Sequence, residues 1–420
     1  MPLTDTLAYL TPDLPGVGGV LKERPDDFLV EEQPLYEPSG EGEHLYLYIE
    51  KRGFTTTEAV RRIAAAFKTQ RRNLGYAGLK DKHAVTRQHI SVWLPGVPDA
   101  VVAESLERLR ENTKLNVLWA ERHGNKLRRG HHGGNRFVLR LRNVEPTHVV
   151  RAKAILDALE QRGVPNYVGE QRFGYRQNSH VLGRLLLQNE YAAFLDAMLG
   201  SDYATESPYI VEGRAHYRAG DYQAALDVWP KTLRYDRQAL DALRQGKPPE
   251  EAVRCIDKAQ CAFLISAWQS AVFNDVLDAR VRAGTFDKLL PGDLAWKHGN
   301  RSVFAVDEAT AKQENGADGR VPRGDVSPSG PNWGGNMTQA TGTPGEMEHA
   351  ALERTGITVA QLAKVEGGRR PMRIMLKHPE VAAGVDEHGP YIKASFELTR
   401  GAYATMVMRE VMKAEANPHN

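Results

Sequence analysis

The sequence predicts an α+β fold: a mixed, mainly antiparallel sheet in a domain interrupted by a more helical insertion. Three observations carry this expectation. Residues 20–160 mix strand-like and helix-like segments without the regular strand–helix–strand rhythm of a parallel sheet. From about 165 to 375 helical patterns take over. Near the C-terminus, "YIKASFELTRGAYATMVMREVMKA" then reads as strand, turn and helix, in the style of the first region. The chain has 420 residues, more than one typical core holds. We therefore expect a discontinuous domain formed by 1–163 and 378–420, with 164–377 as the inserted domain.

Each element has its own signal. "DFLVEEQPLY" and "EHLYLYIEK" are rich in β-branched and aromatic residues, and the turn-forming "EPSGEGE" separates them. Thr55 with Glu58 three residues later makes a capping box, and Val60, Ile63, Ala64 and Phe67 form the apolar stripe of the helix that follows. Thr86 to Leu94 alternates, with Ile90, Val92 and Leu94 on one face and His89, Ser91 and Trp93 on the other. A short helix is expected over 104–110 and a strand in "NVLWAERHG". "NRFVLRLRNV" alternates Phe137, Leu139 and Leu141 against Arg136, Val138, Arg140 and Arg142. "HVVRAKAILDALEQRG" is an amphipathic helix stopped at Gly163. Further helices are expected over 179–199, 214–228, 237–245 and 257–283, the last apolar on most faces and so buried. Residues 311–346 are rich in Gly, Pro and polar residues, which predicts a long loop or mobile flap.

Composition narrows the class. The chain is 41% hydrophobic and 26% charged, ordinary for a globular protein. No apolar run approaches the roughly 20 residues that a membrane span needs. The first residues lack the basic and apolar regions of a secretory signal. Cys255 and Cys261, six apart in a helical stretch, imply neither a disulfide framework nor a zinc knuckle. The expectation is a cytoplasmic protein with no membrane partner.

Net charge is only +2, so the placement of the cations matters more than their number. Residues 121–142 hold seven Lys/Arg and one acid, interleaved with Gly, Asn and an aromatic. This is either a solvated strand face with a basic hairpin tip or a phosphate-tracking surface beside a base-stacking ring. "FKTQRRN" and "GEQRFGYRQN" add Arg beside aromatics, and the three clusters together favour RNA. Metal-ligand spacings, a Walker loop and a GxSxG elbow are absent from the sequence.

One carboxylate stands out. In "GYAGLKDKHAVTRQ", Asp81 lies between Lys80 and Lys82 after two glycines that would let RNA approach closely. As a turn aspartate it needs no further role. Its cationic neighbours, however, would hold it ionised, which suits attack on, or stabilisation of, an electron-poor sugar carbon.

This stretch resembles the signature of the TruD family of tRNA pseudouridine synthases. "LKERPDDFLVEE" and "GEGEHLYLYIEKRG" resemble the family's N-terminal strands. "KLRRGHHGGNRFVLRLR", "GVPNYVGEQRFG" and "FELTRGAYATMVMRE" are similar to its later motifs, in family order. The resemblance implies a pseudouridine-synthase catalytic domain carrying a TruD-specific insertion, with an RNA-binding cleft between the lobes. It implies isomerisation of uridine to pseudouridine at position 13 in the D arm of tRNA, on a flipped base, with no metal or cofactor. It also implies a monomer with tRNA as its partner and no obligate protein partner.

The same resemblance assigns roles. Asp81 matches the catalytic aspartate, attacking C1′ or taking the 2′ proton. Lys22 matches the lysine that pairs with it, although alone it reads as a surface lysine at a strand start. Asn135 and Phe137 match an Asn-x-Phe element: Asn135 would hydrogen-bond near the carboxylate, and Phe137 would stack on uracil or pack in the core. Tyr76 lines the site or the core, and Gln171, Arg172 and Phe173 shape the cleft. The rival functions are an RNA-binding or RNA-folding factor without activity, and a nucleoside glycosidase-like hydrolase. The latter needs a second acid that is not evident near Asp81.

Overall fold

A computed structural model describes residues 7–111, 115–203 and 206–413. It resolves into two compact units. One is Tyr9–Val164 with the C-terminal segment that begins at Ile374; the other is Pro165–Arg373 with the segment ending at Ala8.

The first unit is built on a nine-stranded sheet. Its strands are β1 (Val20–Leu21), β2 (Phe28–Gln33), β3 (His44–Arg52), β4 (Leu74–Tyr76), β5 (Val85–Trp93), β6 (Leu115–His123), β7 (Gly134–Arg142), β8 (Lys377–Asp386) and β9 (Gly389–Thr399). The order is β8-β9-β7-β2-β5-β3-β6, with β1 beside β7 and β4 beside β5. Every pairing is antiparallel except β2 with β5. The sheet is therefore mixed and mainly antiparallel, as the missing strand–helix rhythm predicted.

Its helices are α1 (Thr56–Ala66), α2 (Asp99–Arg110), α3 (Val149–Arg162) and α4 (Ala404–Met412). The Thr55–Glu58 capping box is formed in full at the start of α1. Val60 and Ile63 of α1 and Leu109 of α2 close a core with Leu47, Ile49, Ile90 and Val92 of the sheet. α3 stops at Gly163, whose φ of 80° suits a residue without a Cβ.

The second unit is mainly helical around Lys258–Arg282, which buries Trp268, Phe273 and Leu277. The expected helix over 214–228 is two helices, Pro208–Arg218 and Tyr222–Val228, broken at Gly220 with φ 75°. Cys255 and Cys261 lie on separate helices rather than one: Cys255 ends Pro249–Arg254, and Cys261 belongs to Lys258–Arg282.

The expectation for 311–346 needs correction. This stretch holds the end of helix Glu308–Asn315, the strand Val326–Asn332 and the start of helix Gly342–Glu353. The strand reads VSPSGPN and looked like a loop because of Pro328 and Pro331. Val326–Pro328 ladders with Leu294–Lys297, and Ser329–Asn332 ladders with Gly368–Pro371. Each half ladders with one neighbour only, so a residue lacking an N–H can turn that position to its unladdered side.

Candidate active site

Two strands meet along one edge of β5. β2 pairs with Val85–Arg87, and β4 pairs with Ile90–Val92. The loop from β4 to β5, residues 77–84, leaves the sheet at this break and carries Asp81. Buried side chains hold its backbone. Lys80 N–H donates to Thr56 Oγ1 at 2.9 Å, and Thr56 Oγ1 donates to Gln88 Oε1 at 2.9 Å. Lys51 Nζ donates to the carbonyl of Asp81 at 2.9 Å. Gly130 N–H donates to the carbonyl of Ala77 at 2.8 Å.

The Asp81 carboxylate is about one-third exposed. Its Oδ2 receives Lys22 Nζ at 2.8 Å, and its Oδ1 receives the His83 N–H at 3.0 Å. Burial opposes ionisation here, but the Lys22 and His83 hydrogen bonds and their charges outweigh it and hold the carboxyl below its ordinary range. Lys22 follows β1 with φ 63°, a left-handed conformation that costs a non-glycine residue about 1 kcal/mol or more. Its ammonium also lies 4.3 Å from the centroid of the Phe28 ring.

Lys80 points the other way. Its side chain is 6% exposed and its Nζ lies 3.0 Å from Glu32 Oε2 and 2.5 Å from Asn135 Oδ1. Glu32 and Asn135 face each other across β2 and β7. Glu32 Oε1 also accepts the backbone N–H of His89 at 3.0 Å. Burial pushes the Glu32 carboxyl up, and His89 and Lys80 more than reverse this, so it stays ionised. Asn135 therefore reaches the residue before Asp81 and secures Lys80.

Phe137 is two residues further along the same face of β7 and is buried. Its ring meets Phe28 edge-on at 6.5 Å and Phe396 at 5.7 Å. Phe28 thus links Phe137 to Lys22 and Asp81. Tyr76 is partly buried beside the α1 core, with the Arg129 guanidinium 5.9 Å from its ring centroid. Gln171, Arg172 and Phe173 belong to the other unit, in the short turn Glu170–Phe173. There Arg172 bonds Ser266 and stacks on Phe263, and Phe173 meets His180 edge-on.

With this geometry in place, comparison with known proteins is decisive. A family model described as tRNA pseudouridine synthase D (TruD) matches residues 5–411. The chain belongs to the TruD family of tRNA pseudouridine synthases. It is 42% identical to the tRNA pseudouridine synthase D of Geobacter sulfurreducens over 416 residues, covering 97% of each chain. It is 34% identical to the namesake from Thermus thermophilus, over 98% of this chain and 93% of that one. A crystal structure of a Methanosarcina mazei protein assigned to TruD superposes with a TM-score of 0.81 at 25% identity, covering 98% and 96% of the two chains.

Two readings of this TruD chain's sequence change. Gly75 does not serve RNA approach: a Cβ there would sit 2.2 Å from the Leu127 carbonyl, so the glycine lets the basic segment close onto β4. Arg142, counted with the basic face, is 3% exposed. It pairs with Asp27 at 2.7 Å and Asp386 at 2.6 Å, so it ties β7 to β8 and to the approach to β2. The seven cations of 121–142 are thus not one surface.

Sequence reasoning also passed over Glu32, Lys51, Thr56 and Gln88, the supports beneath the loop. A signal was present for two of them. Phe28, Val30 and Glu32 share the buried face of β2, and Leu45, Leu47, Ile49 and Lys51 share that of β3. A charge at an apolar-face position is the mark of a buried polar role.

Proposed function

We propose that this tRNA pseudouridine synthase isomerises uridine 13 in the D arm of tRNA, with Asp81 as the catalytic group and the target base flipped from its stack. The observation that carries the reading is the Asp81 carboxylate, held by Lys22 at 2.8 Å on a braced loop yet one-third open to solvent. Position 13 rests on the resemblance of the motifs to bacterial members of the family.

The chemistry asks little else of the protein. The N1–C1′ bond breaks, and Asp81 either attacks C1′ or takes the 2′ proton. The uracil rotates and C5 bonds to C1′, as the Asp81–C1′ bond breaks in the first route or as Asp81 returns the proton to C2′ in the second; then C5 loses a proton and N1 gains one. Atoms balance without water, so the bound uracil must be shielded from it. Lys22 keeps Asp81 anionic. Asn135 orders Lys80 and so the loop. Phe137 and Tyr76 are assigned as the rings that meet the flipped base, and their stacking offsets the cost of unstacking it. Gln171, Arg172 and Phe173 are assigned to RNA contact from the 164–377 insertion, while 1–163 with 378–420 is the catalytic domain. The enzyme is read as a cytoplasmic monomer without metal or cofactor.

Asp81→Asn keeps the shape and removes the charge. Turnover on tRNA transcripts should fall by roughly 10²–10⁴-fold or more. Near-normal turnover in the folded variant defeats the assignment. Mapping should place the product at position 13, and a transcript carrying cytidine there should gain none. Free uracil as product would indicate a hydrolase instead.

A further inference from the structure

Lys51 is the misfit on the apolar face of β3. Its side chain is fully buried, and its ammonium donates to two carbonyls, Phe54 O at 2.7 Å and Asp81 O at 2.9 Å. Both partners are neutral, so among the described residues no carboxylate touches this charge. A methionine would fill the same space without desolvating a cation. Burial pulls the Lys51 ammonium down to about 8; Asp81 and Glu58 act against that pull, and Lys80 adds to it. Asp81 is the strongest attraction it feels. The cation is therefore costly where it stands, and what it holds is the backbone of the proposed catalytic residue.

The geometry around it is specific. Thr56 fixes Lys80 N–H, Lys51 fixes the carbonyl of Asp81, and Lys22 fixes the carboxylate. The main chain on both sides of the Asp81 Cα is thus tied to buried groups, which leaves the side chain little freedom of aim.

We propose that Lys51 is a positioning residue for isomerisation: it holds the Asp81 main chain so that the carboxylate, steadied by Lys22, meets the sugar in one orientation. The inference rests on Asp81 being the catalytic group. Misplacing a reacting group by about 1 Å costs on the order of 10²-fold in rate. Lys51→Met should therefore lower kcat about 10²-fold, while KM and tRNA affinity stay within about threefold because the variant touches no RNA-facing surface. Lys51→Arg, which keeps a cation and several donors, should recover most of the rate.

The test is single-turnover kinetics on tRNA transcripts, with binding and thermal melting of each full-length variant. If Lys51→Met does not fold, Lys51→Gln keeps two N–H donors without charge and serves in its place. Wild-type kcat in the folded variant overturns the proposal. So does a loss carried by KM, a Lys51→Arg variant as slow as Lys51→Met, or unfolding of both Met and Gln variants, which would make the role structural. Asp81→Asn is measured alongside. If it stays active, the fault lies with the catalytic assignment; if it is dead while Lys51→Met is normal, only the positioning role fails.

Discussion

Replacing Lys22 with methionine tests the electrostatics of the site. The Lys22 and Asp81 side chains are 23% and 33% exposed and 2.8 Å apart at the contact. With charge centres about 4 Å apart and an effective dielectric of roughly 40–80 for so solvated a pair, the attraction is about 1–2 kcal/mol. Loss of the ammonium removes that attraction and should raise the Asp81 pKa. The sign follows from the direction seen here. Asp81 is held below its ordinary value, so wild-type activity should persist as pH falls and fail only well into acid. In Lys22→Met the carboxylate protonates earlier, and the acid limb of kcat/KM moves to higher pH. Methionine still covers Phe28 and inherits the same left-handed backbone, so folding changes little. Rates between pH 4.5 and 8 and the ¹³C shift of the Asp81 carboxyl both report the change. The difference between the enzymes should shrink in about 1 M salt, where screening is strong. An unmoved limb, with the carboxyl titrating as in wild type, would show that Lys22 does not set the charge of Asp81.

Three other substitutions, at two positions, separate stability from chemistry. Lys80→Met strands the buried Glu32 carboxylate, which should cost about 3–5 kcal/mol at neutral pH. In wild type the Glu32 pKa is lowered, so its contribution is present at neutral pH and is lost as pH falls through the folded value. In the variant His89 alone opposes burial, so the Glu32 pKa rises and the variant should lose less stability than wild type as pH falls; parallel pH profiles of the denaturant midpoint for both proteins would refute the ion pair. Phe137→Ala removes a buried ring and should destabilise by about 3–5 kcal/mol. Phe137→Leu keeps most of the packing, so slow turnover with intact tRNA binding would reveal base contact, whereas normal turnover would confine Phe137 to the core.

Local signals in the sequence carried the sheet domain. The capping box at Thr55, the alternation of 136–141 and the glycine stop at 163 each act within a few residues, and each appears where expected. The strand Val326–Asn332 was illegible for a tertiary reason. Its prolines are compatible with a strand only because two different neighbours each pair half of it, and no window of sequence records that division. The break at Gly220 is the opposite case: the glycine was visible, but the apolar pattern ran past it on both sides and suggested one helix.

The resemblance pairs Asp81 with Lys22, as the structure does; neighbourhood in sequence alone would have paired it with its flanking lysines. Side chains on a tight loop diverge, so Lys80 turns into the sheet toward Glu32 and Asn135, while Lys82 is exposed. The cation that meets Asp81 comes instead from Lys22, delivered by β1 where it lies beside β7. A lysine bonded within its own loop would move with the carboxylate and fix nothing. Lys22, Lys51 and Thr56 come from three separate segments, and each is anchored in the sheet or the helix beside it. Asp81 is thus referred to the fold as a whole. That explains why its surroundings hold several buried polar groups on faces that would otherwise be apolar, and why those misplaced charges, more than the Gly-rich loop, mark the site in the sequence.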